Sequence, residues 1–146
     1  MKDVQIVRST EIHPQPLPGT SKKGAGWIKR IIYPQHVETK GVVMGVAEVN
    51  PGYPLHRWHD HIRDEAEQYE LIFPEGFEEV YYIIDGSGVI QGKSAEAGKI
   101  HEEQVFPGDT VFFPAGVAKH QLFNNSDKKM VVLYCSSPMP KITIPK

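Results

Sequence analysis

Cysteine is nearly absent from this chain, since Cys135 is the only one among its 146 residues. A single cysteine cannot form an internal disulfide, so the fold cannot depend on an oxidising compartment. A chain of this length can bury one hydrophobic core without such a bridge. The N-terminal residues also lack an apolar run long enough for a signal peptide or a membrane span, which predicts a cytoplasmic protein with no membrane partner.

An excess of positive charge is missing as well. The chain has 16 Lys and Arg residues against 18 Asp and Glu residues, which gives a formal net charge of −2. Domains that bind nucleic acids usually present a strongly basic face. We therefore expect no nucleic-acid partner, and the candidate ligands are small molecules.

Most of the sequence has the spacing of strands and turns that is typical of a β protein. Short runs rich in β-branched and aromatic residues are separated, at intervals of about ten residues, by Gly, Pro and Asp turns. The runs are residues 27–33, 41–49, 78–85, 89–92, 100–106, 110–113, 120–124 and 130–135. This spacing predicts a β-sandwich or barrel, and the turn at Asp85–Gly88 predicts a hairpin between the two runs that flank it.

We interpret residues 1–146 as a single domain. Residues 13–26 contain three prolines and three glycines, which are incompatible with a regular helix or a central strand. We therefore expect a short strand at residues 4–7 and an extended arm that together make up residues 1–26. The barrel then occupies residues 27–135, and a C-terminal tail occupies residues 136–146.

One segment departs from the β pattern. Between Ile62 and Phe73, apolar residues recur at steps of three and four positions, as they do on one face of a helix. This periodicity predicts a short helical insertion within residues 62–78. Residues 69–73 could equally form a strand.

Histidines cluster in the first half of the chain. Three of the seven histidines lie within six residues, at His56, His59 and His61, just after a Pro-Gly turn. A neutral imidazole is the commonest metal ligand and a common general base. The cluster therefore makes this segment the first candidate for a metal or catalytic site.

Three stretches of the chain together resemble the two signature motifs of the cupin superfamily. They are PGYPLHRWHDH (51–61), EEVYYIIDGSG (78–88) and PGDTVFFPAGVAKHQLFN (107–124). The glutamate and glycine of the first motif match Glu79 and Gly86, which are separated by six residues. The histidine and asparagine of the second match His120 and Asn124, which are separated by three.

The resemblance implies an all-β jelly-roll barrel, a double-stranded β-helix. It also implies one divalent transition metal, either Fe, Mn, Zn, Ni or Co, held inside by three histidines and a glutamate, with His120 as one ligand. The residues support this set, because histidines two apart on a strand, such as His59 and His61, point to the same face. Glu79 would be a carboxylate among apolar neighbours, which is costly unless it is paired. Tyr81 shares the face of Glu79, so it is a candidate pocket and catalytic residue.

Departures from the family pattern leave alternatives at the site. His59 lies beyond the family spacing, so His56 is either a substitute ligand or a group that supports the ligands, and we favour His59 and His61. One extra residue precedes His120, and a bulge there would restore its inward direction. The insertion at residues 62–78 would emerge beside the metal as a lid, a pocket wall, a surface decoration or a dimer contact.

We expect a metal-dependent enzyme that acts on a small polar or acidic metabolite. The reaction is either a dioxygenation at Fe(II), or an isomerase, lyase or decarboxylase reaction in which the metal polarises a carbonyl or carboxylate. The alternative is a non-catalytic cupin module that binds or senses a small molecule, because fold alone does not decide function. The arm and the edge strands also suggest a homodimer.

Overall fold

The structure is a computed structural model that describes residues 3–18, 20, 24–61, 63–66, 69–72, 76–93, 98–116, 118–137 and 141–143. Its strands are β1 Gly26–Ile32, β2 Val43–Val49, β3 Arg63–Ala66, β4 Tyr69–Ile72, β5 Glu78–Asp85, β6 Gly88–Lys93, β7 Ile100–Val105, β8 Thr110–Phe113, β9 His120–Phe123, β10 Met130–Ser137 and β11 Lys141–Thr143. A 3-10 turn at Ser9–Glu11 is the one helical element in these ranges. The all-β prediction is confirmed. Among the described residues, no helix is long and apolar enough to cross a membrane.

The larger sheet has five strands in the order β1-β2-β10-β5-β8. Successive side chains of a strand point to opposite faces, and β2 and β10 accordingly alternate between buried and half-buried residues. The inner row of β10 consists of Met130, Val132, Tyr134 and Ser136. The first three members of this row belong to the hydrophobic core. Ser136 therefore places a hydroxyl where the apolar row ends.

A second sheet, called the smaller sheet below, has the order β7-β6-β9 and faces the same core, which draws buried side chains from this sheet and the larger one. A third sheet has the order β11-β4-β3. An irregular segment extends the smaller sheet beyond β9. It forms isolated bridges at Pro54↔Phe123 and at His59↔His120. This segment brings the histidine cluster alongside the second signature motif.

The hairpin predicted at Asp85–Gly88 is wrong, because its two strands belong to different sheets. β5 pairs with β10 and β8, whereas β6 pairs with β7 and β9. Gly86 has a φ of +74°, and a Cβ there would lie 2.2 Å from the carbonyl oxygen of Lys129. The glycine thus lets the chain pass close to the start of β10 as it crosses from one sheet to the other.

The helical insertion predicted within residues 62–78 is also wrong. β3 and β4 pair antiparallel from Arg63↔Ile72 to Ala66↔Tyr69, and β11 pairs along the other side of β4. A helix this short is marginal on its own, whereas two neighbouring strands satisfy the backbone of β4. Residues 62 and 73, which bound the helical pattern, lie outside the described residues.

The N-terminal arm is tied to β1 by its middle rather than by its beginning. The predicted strand at residues 4–7 is irregular in the structure. Further on, Gln15 N donates to Ile28 O at 2.9 Å, and Ile28 N donates to Gln15 O at 2.8 Å. Leu17 follows and is buried in the core. The arm therefore covers the outer edge of the larger sheet.

Candidate metal centre

Three imidazoles from distant parts of the chain converge on one point. His59 and His61 end the irregular segment that follows β2, and His120 begins β9. Each offers one ring nitrogen, and these nitrogens all lie within 4.8 Å of one another. A metal–nitrogen bond of about 2.1 Å places ligand nitrogens roughly 3–4 Å apart in a tetrahedral site. The three imidazoles are thus spaced so that small side-chain movements would let them share one ion.

A backbone bridge fixes His59 beside His120. His59 N donates to His120 O at 3.1 Å, and His120 N donates to His59 O at 2.9 Å. The same segments also pair at Pro54↔Phe123, and regular continuation of that pairing would place Arg57 opposite His120. Extra residues therefore loop out before His59. This loop accounts for the position of His59 beyond the family spacing.

Backbone carbonyls orient two of the three rings. Arg57 O accepts a hydrogen bond from His59 Nδ1 at 2.7 Å, and Ala118 O accepts one from His120 Nδ1 at 3.1 Å. A carbonyl oxygen can only accept, so Nδ1 carries the proton in both rings. The lone pair of each neutral imidazole then lies on Nε2, which is the nitrogen left for a metal.

Glu79 approaches the cluster from the opposite sheet. Its Oε1 lies 3.4 Å from His61 Nε2, and its Oε2 accepts a hydrogen bond of 2.5 Å from Ser136 Oγ. Glu79 and Ser136 are register partners on β5 and β10. Glu79 is only 7% exposed. The serine thus holds one carboxylate oxygen in place while the other faces the histidines.

Aromatic rings frame the imidazoles. His61 stacks on Phe77 with ring centroids 4.2 Å apart, and His120 stacks on Phe113 at the same distance. Phe113 also presents its ring at a steep angle to His61, at 5.4 Å. These contacts restrict the rotation of the two imidazoles and keep water from their faces.

Burial keeps two of the histidines neutral. It lowers the pKa of His59 from 6.5 to about 2, and the nearby ring of His56 acts in the same direction. Burial likewise lowers the pKa of His120 to about 4, although the hydrogen bond to Ala118 opposes this shift. Neutral imidazole is the form that binds metals, so both residues are ready to do so at neutral pH.

The residues present fit a divalent metal ion. Within the described part of the chain, both ring nitrogens of His61 and Nε2 of His120 are buried without a hydrogen-bond partner. Buried polar atoms of native proteins are nearly always paired, so such a group of orphans calls for an explanation. Three imidazoles with a neighbouring carboxylate are a donor set typical of Zn, Mn, Fe, Co or Ni.

The remaining candidates from the sequence lie around this centre. His56 packs against His59 with centroids 3.9 Å apart, and its Nδ1 also donates to Arg57 O. Tyr81 lies in the core, and its ring meets Phe113 edge-on at 4.9 Å. His120 is buried, so it faces inward as expected, whereas the bulge expected before it falls partly outside the described residues.

Ser136 is the residue that sequence reasoning missed. It carries no signature motif, and serine is common in loops and on surfaces. The alternation along residues 130–136 was the available signal, because it places this hydroxyl on the inner face with Val132 and Tyr134. The contact with Glu79 additionally requires the register between β5 and β10, which the pattern of one strand does not contain.

Two antiparallel sheets around one core, with imidazoles converging inside, define a jelly-roll protein. A family model described as a cupin domain matches residues 74–136. Residues 74–136 therefore match the cupin family, and the resemblance seen in the motifs is confirmed. The matched range includes Glu79 and His120 but begins after His59 and His61. These two histidines are therefore assigned to the site from their position in the structure. No curated protein matches the chain at a significant level.

Solved structures share the fold at low sequence identity. A predicted oxalate decarboxylase of Thermotoga maritima is 22% identical over 92% of this chain and 100% of its own, with a TM-score of 0.64. A sugar phosphate isomerase of Silicibacter pomeroyi is 17% identical over 92% of this chain and 76% of its own, with a TM-score of 0.62. The oxalate decarboxylase of Bacillus subtilis, which has Mn(II) centres, is 18% identical over 88% of this chain and 28% of its own, with a TM-score of 0.61.

Proposed function

We propose that the protein is a metal-dependent cupin enzyme that acts on a small polar or acidic metabolite. The convergence of the His59, His61 and His120 nitrogens within 4.8 Å carries this proposal. A bound divalent ion supplies Lewis acidity and open positions for substrate oxygens. Oxalate and sugar phosphates, which appear in the names of the structural neighbours, are small anions and support the same substrate class.

We further propose His59, His61, His120 and Glu79 as the metal ligands. His59 and His120 would bind through Nε2, because their Nδ1 protons are held by backbone carbonyls. His56 shares the carbonyl of Arg57 with His59, so its role would be to limit the movement of that ring. Manganese in a structural neighbour makes Mn(II) a first metal to test, alongside Fe, Zn, Ni and Co.

Tyr81 remains the predicted catalytic residue. It lies on the same face of β5 as Glu79, one alternation deeper in the core. A phenolic hydroxyl there could donate a proton to a substrate held at the metal or orient it. In a Tyr81→Phe variant we expect kcat to fall while metal content stays at the wild-type level. An unchanged kcat would remove Tyr81 from the reaction.

Metal content measured on purified protein tests the ligand set. Glu79→Gln and His61→Ala should each lower the affinity for Mn(II) or Zn(II) at least about tenfold, because a donor is lost from a small set. His36→Ala is the matched control, since His36 is exposed and belongs to no part of the site. Wild-type affinity in both site variants would contradict the proposed centre.

Turnover assays then separate the reaction types. Oxygen consumption by the iron-loaded protein with small organic acids identifies an oxygenase. Product formation without oxygen consumption identifies an isomerase, lyase or decarboxylase. Tight ligand binding with no product under either condition would contradict the enzyme and identify a binding or sensing module.

We also propose a homodimer, with the start of the arm as a contact. Val4 and Ile6 are 93% and 74% exposed, which is unusual for two apolar side chains so close together. Solution scattering should give twice the mass of one chain, and Val4→Ser with Ile6→Ser should reduce it. A monomeric mass for the wild-type protein would contradict this proposal. The cytoplasmic location stays a prediction from the single cysteine and the N-terminal sequence.

A further inference from the structure

Four positions lie side by side across the inner face of the smaller sheet, at the metal centre. A backbone bridge pairs His59 with His120. The register then pairs His120 of β9 with Gly92 of β6, and Gly92 with His101 of β7. Residues paired in this way project to the same face of a sheet. Because His120 is buried and faces inward, Gly92 and His101 lie on the inner face as well.

Gly92 leaves the space beside His120 unfilled. A Cβ at position 92 would lie within 4 Å of no described residue other than its neighbours in the chain. Its φ is not positive, so the backbone does not require glycine either. By contrast, a Cβ at Gly26, Gly45 or Gly88, the other glycines of the described strands, would lie less than 3 Å from a neighbour. A strand glycine with neither reason is typical of a place that another molecule approaches closely.

This space is open to solvent. Gly92 is half-buried although it lies on the central strand of the smaller sheet, and His101 is exposed although it lies on the inner face. One step deeper on the same face, Ile90 pairs with Leu122, and both pack in the hydrophobic core. The space therefore has an apolar floor and is reached from outside the barrel.

The gap over Gly92 has the size of a small metabolite. His120 and His101 are two strand spacings apart, or about 10 Å between Cα atoms at 4.8 Å per strand. Nε2 of His120, the nitrogen left for a metal, is buried without a hydrogen-bond partner in the described part of the chain. A molecule of a few bonds' length, bound to an ion at this nitrogen, therefore meets His101 on the far side of the gap.

The chemistry of the far side suits a hydroxyl group. A neutral imidazole such as that of His101 has one donor and one acceptor nitrogen, and a hydroxyl can satisfy either. Glu103 lies two residues further along the same face of β7 and is exposed. A carboxylate accepts hydrogen bonds from hydroxyl groups but repels a second anionic group.

We propose that His101 binds a distal hydroxyl group of the substrate, whose carboxylate end lies at the metal and whose chain passes over Gly92. The inference rests on the proposed function, because the ion holds the other end of the molecule. It narrows the substrate class to a small acid that carries a hydroxyl group several bonds from its metal-binding end.

Three simple acids test this role without knowledge of the substrate. Butyrate, 4-hydroxybutyrate and succinate share a four-carbon chain and one carboxylate, and they differ only in the distal group. Each is titrated into the Mn(II)-loaded full chain, and water-proton relaxation reports the displacement of water from the ion. We expect 4-hydroxybutyrate to bind roughly two- to tenfold more tightly than butyrate, which is the net value of one hydrogen bond. Succinate as the tightest ligand would overturn the assignment to a hydroxyl group.

Variants of His101 separate its polar contact from its bulk. His101→Phe keeps a ring of similar width but has no donor or acceptor, so the advantage of 4-hydroxybutyrate over butyrate should disappear. His101→Gln should restore part of it. His36→Phe is the matched control, since His36 is exposed and lies outside the site, and it should keep the full advantage. Equal affinities of the two acids in the wild-type protein, or an unchanged advantage in His101→Phe, would overturn the proposal.

Variants of Gly92 test the space itself. In the metal-free chain, Gly92→Ala should unfold at no lower urea concentration than the wild-type protein, and a lower midpoint would show that the space is occupied and overturn the proposal. Gly92→Leu should fill the gap and weaken binding of the acids roughly tenfold or more, with wild-type Mn(II) content. Gly41→Leu is the control, because a Cβ there also meets no described neighbour. Equal binding of the acids in both leucine variants would overturn the role of the gap.

The metal measurement distinguishes this inference from the proposed function. A wild-type chain that binds no Mn(II) or other divalent ion would contradict the proposed function and, with it, the role of His101. Normal Mn(II) binding with no effect of the His101 and Gly92 variants on the acids would contradict this inference alone.

Discussion

Acidification should destabilise the metal-free protein, because two buried histidines are neutral in the fold. The pKa of His59 is lowered from 6.5 to about 2, and that of His120 to about 4. In the unfolded chain both imidazoles take up a proton near pH 6.5. Below that pH the unfolded state binds more protons than the folded state, so the free energy of unfolding falls as the pH drops. The loss ends for each residue only when the pH reaches its lowered pKa.

The pKa values give the size of the effect. One pH unit within this window corresponds to about 1.4 kcal/mol per histidine, so each loses roughly 2 kcal/mol between pH 6.5 and pH 5. The two losses share neighbours and do not simply add, which places the total at roughly 2–4 kcal/mol. A domain of this size is stable by about 5–15 kcal/mol, so the expected change is a large fraction of the whole.

Urea unfolding in the presence of a chelator measures this loss. Curves recorded between pH 7.5 and pH 5 should show the midpoint falling with little change in slope. A double variant, His59→Asn with His120→Asn, cannot take up protons at these positions and should flatten the dependence on pH. A wild-type midpoint that stays constant over this range would refute the reasoning. An unchanged dependence in the double variant would assign the effect to other groups.

Three further substitutions have defined outcomes. The Asn124 side-chain nitrogen donates to two backbone carbonyl oxygens at 2.9 and 2.7 Å, so Asn124→Asp should cost about 3–5 kcal/mol in urea unfolding at pH 7, and a cost below about 1 kcal/mol would contradict this role. Gly45→Ala should lower stability by about 1–3 kcal/mol, because the new Cβ meets the backbone carbonyl oxygen of Lys29 and the hydroxyl of Tyr134, and an unchanged melting temperature would contradict these close contacts. Ser136→Ala frees one oxygen of Glu79 and should weaken Mn(II) binding roughly ten- to hundredfold, whereas Ser137→Ala, whose hydroxyl bonds to a distant backbone carbonyl, should leave it unchanged. Equal affinities in the two serine variants would contradict the positioning role of Ser136.

The strands were predictable because their signal is local. Alternation along residues 43–49 and 130–136 follows from one side chain pointing inward and the next outward, and the structure shows this pattern. The partner of each strand is set by contacts far apart in the chain. The local sequence around Gly86 therefore predicts a hairpin, although the partners of β5 are β8 and β10. The helix prediction within residues 62–78 was wrong for the same reason. β4 pairs with β11, which lies at the far end of the chain.

The residues of the candidate site also differ in how far the local sequence predicts them. Glu79 and His120 were predictable because each lies in a motif with fixed spacing. Which of His56, His59 and His61 converge with His120 was harder to predict, because the sequence does not show which residues loop out before His59. The place of Ser136 depends on the register between β5 and β10, which the sequence of one strand does not contain.

The proposed ligands come from both halves of the sandwich. His59 and His120 are hydrogen-bonded neighbours at the margin of the smaller sheet, whereas Glu79 stands on the larger one. An ion bound by all of them would cross-link the two sheets. By mass action, free metal at a hundred times its dissociation constant would add about 2.7 kcal/mol to the free energy of unfolding. The same ion would then supply the chemistry of the protein and also stabilise its fold, so we expect the metal-free chain to unfold at a lower urea concentration than the metal-loaded chain.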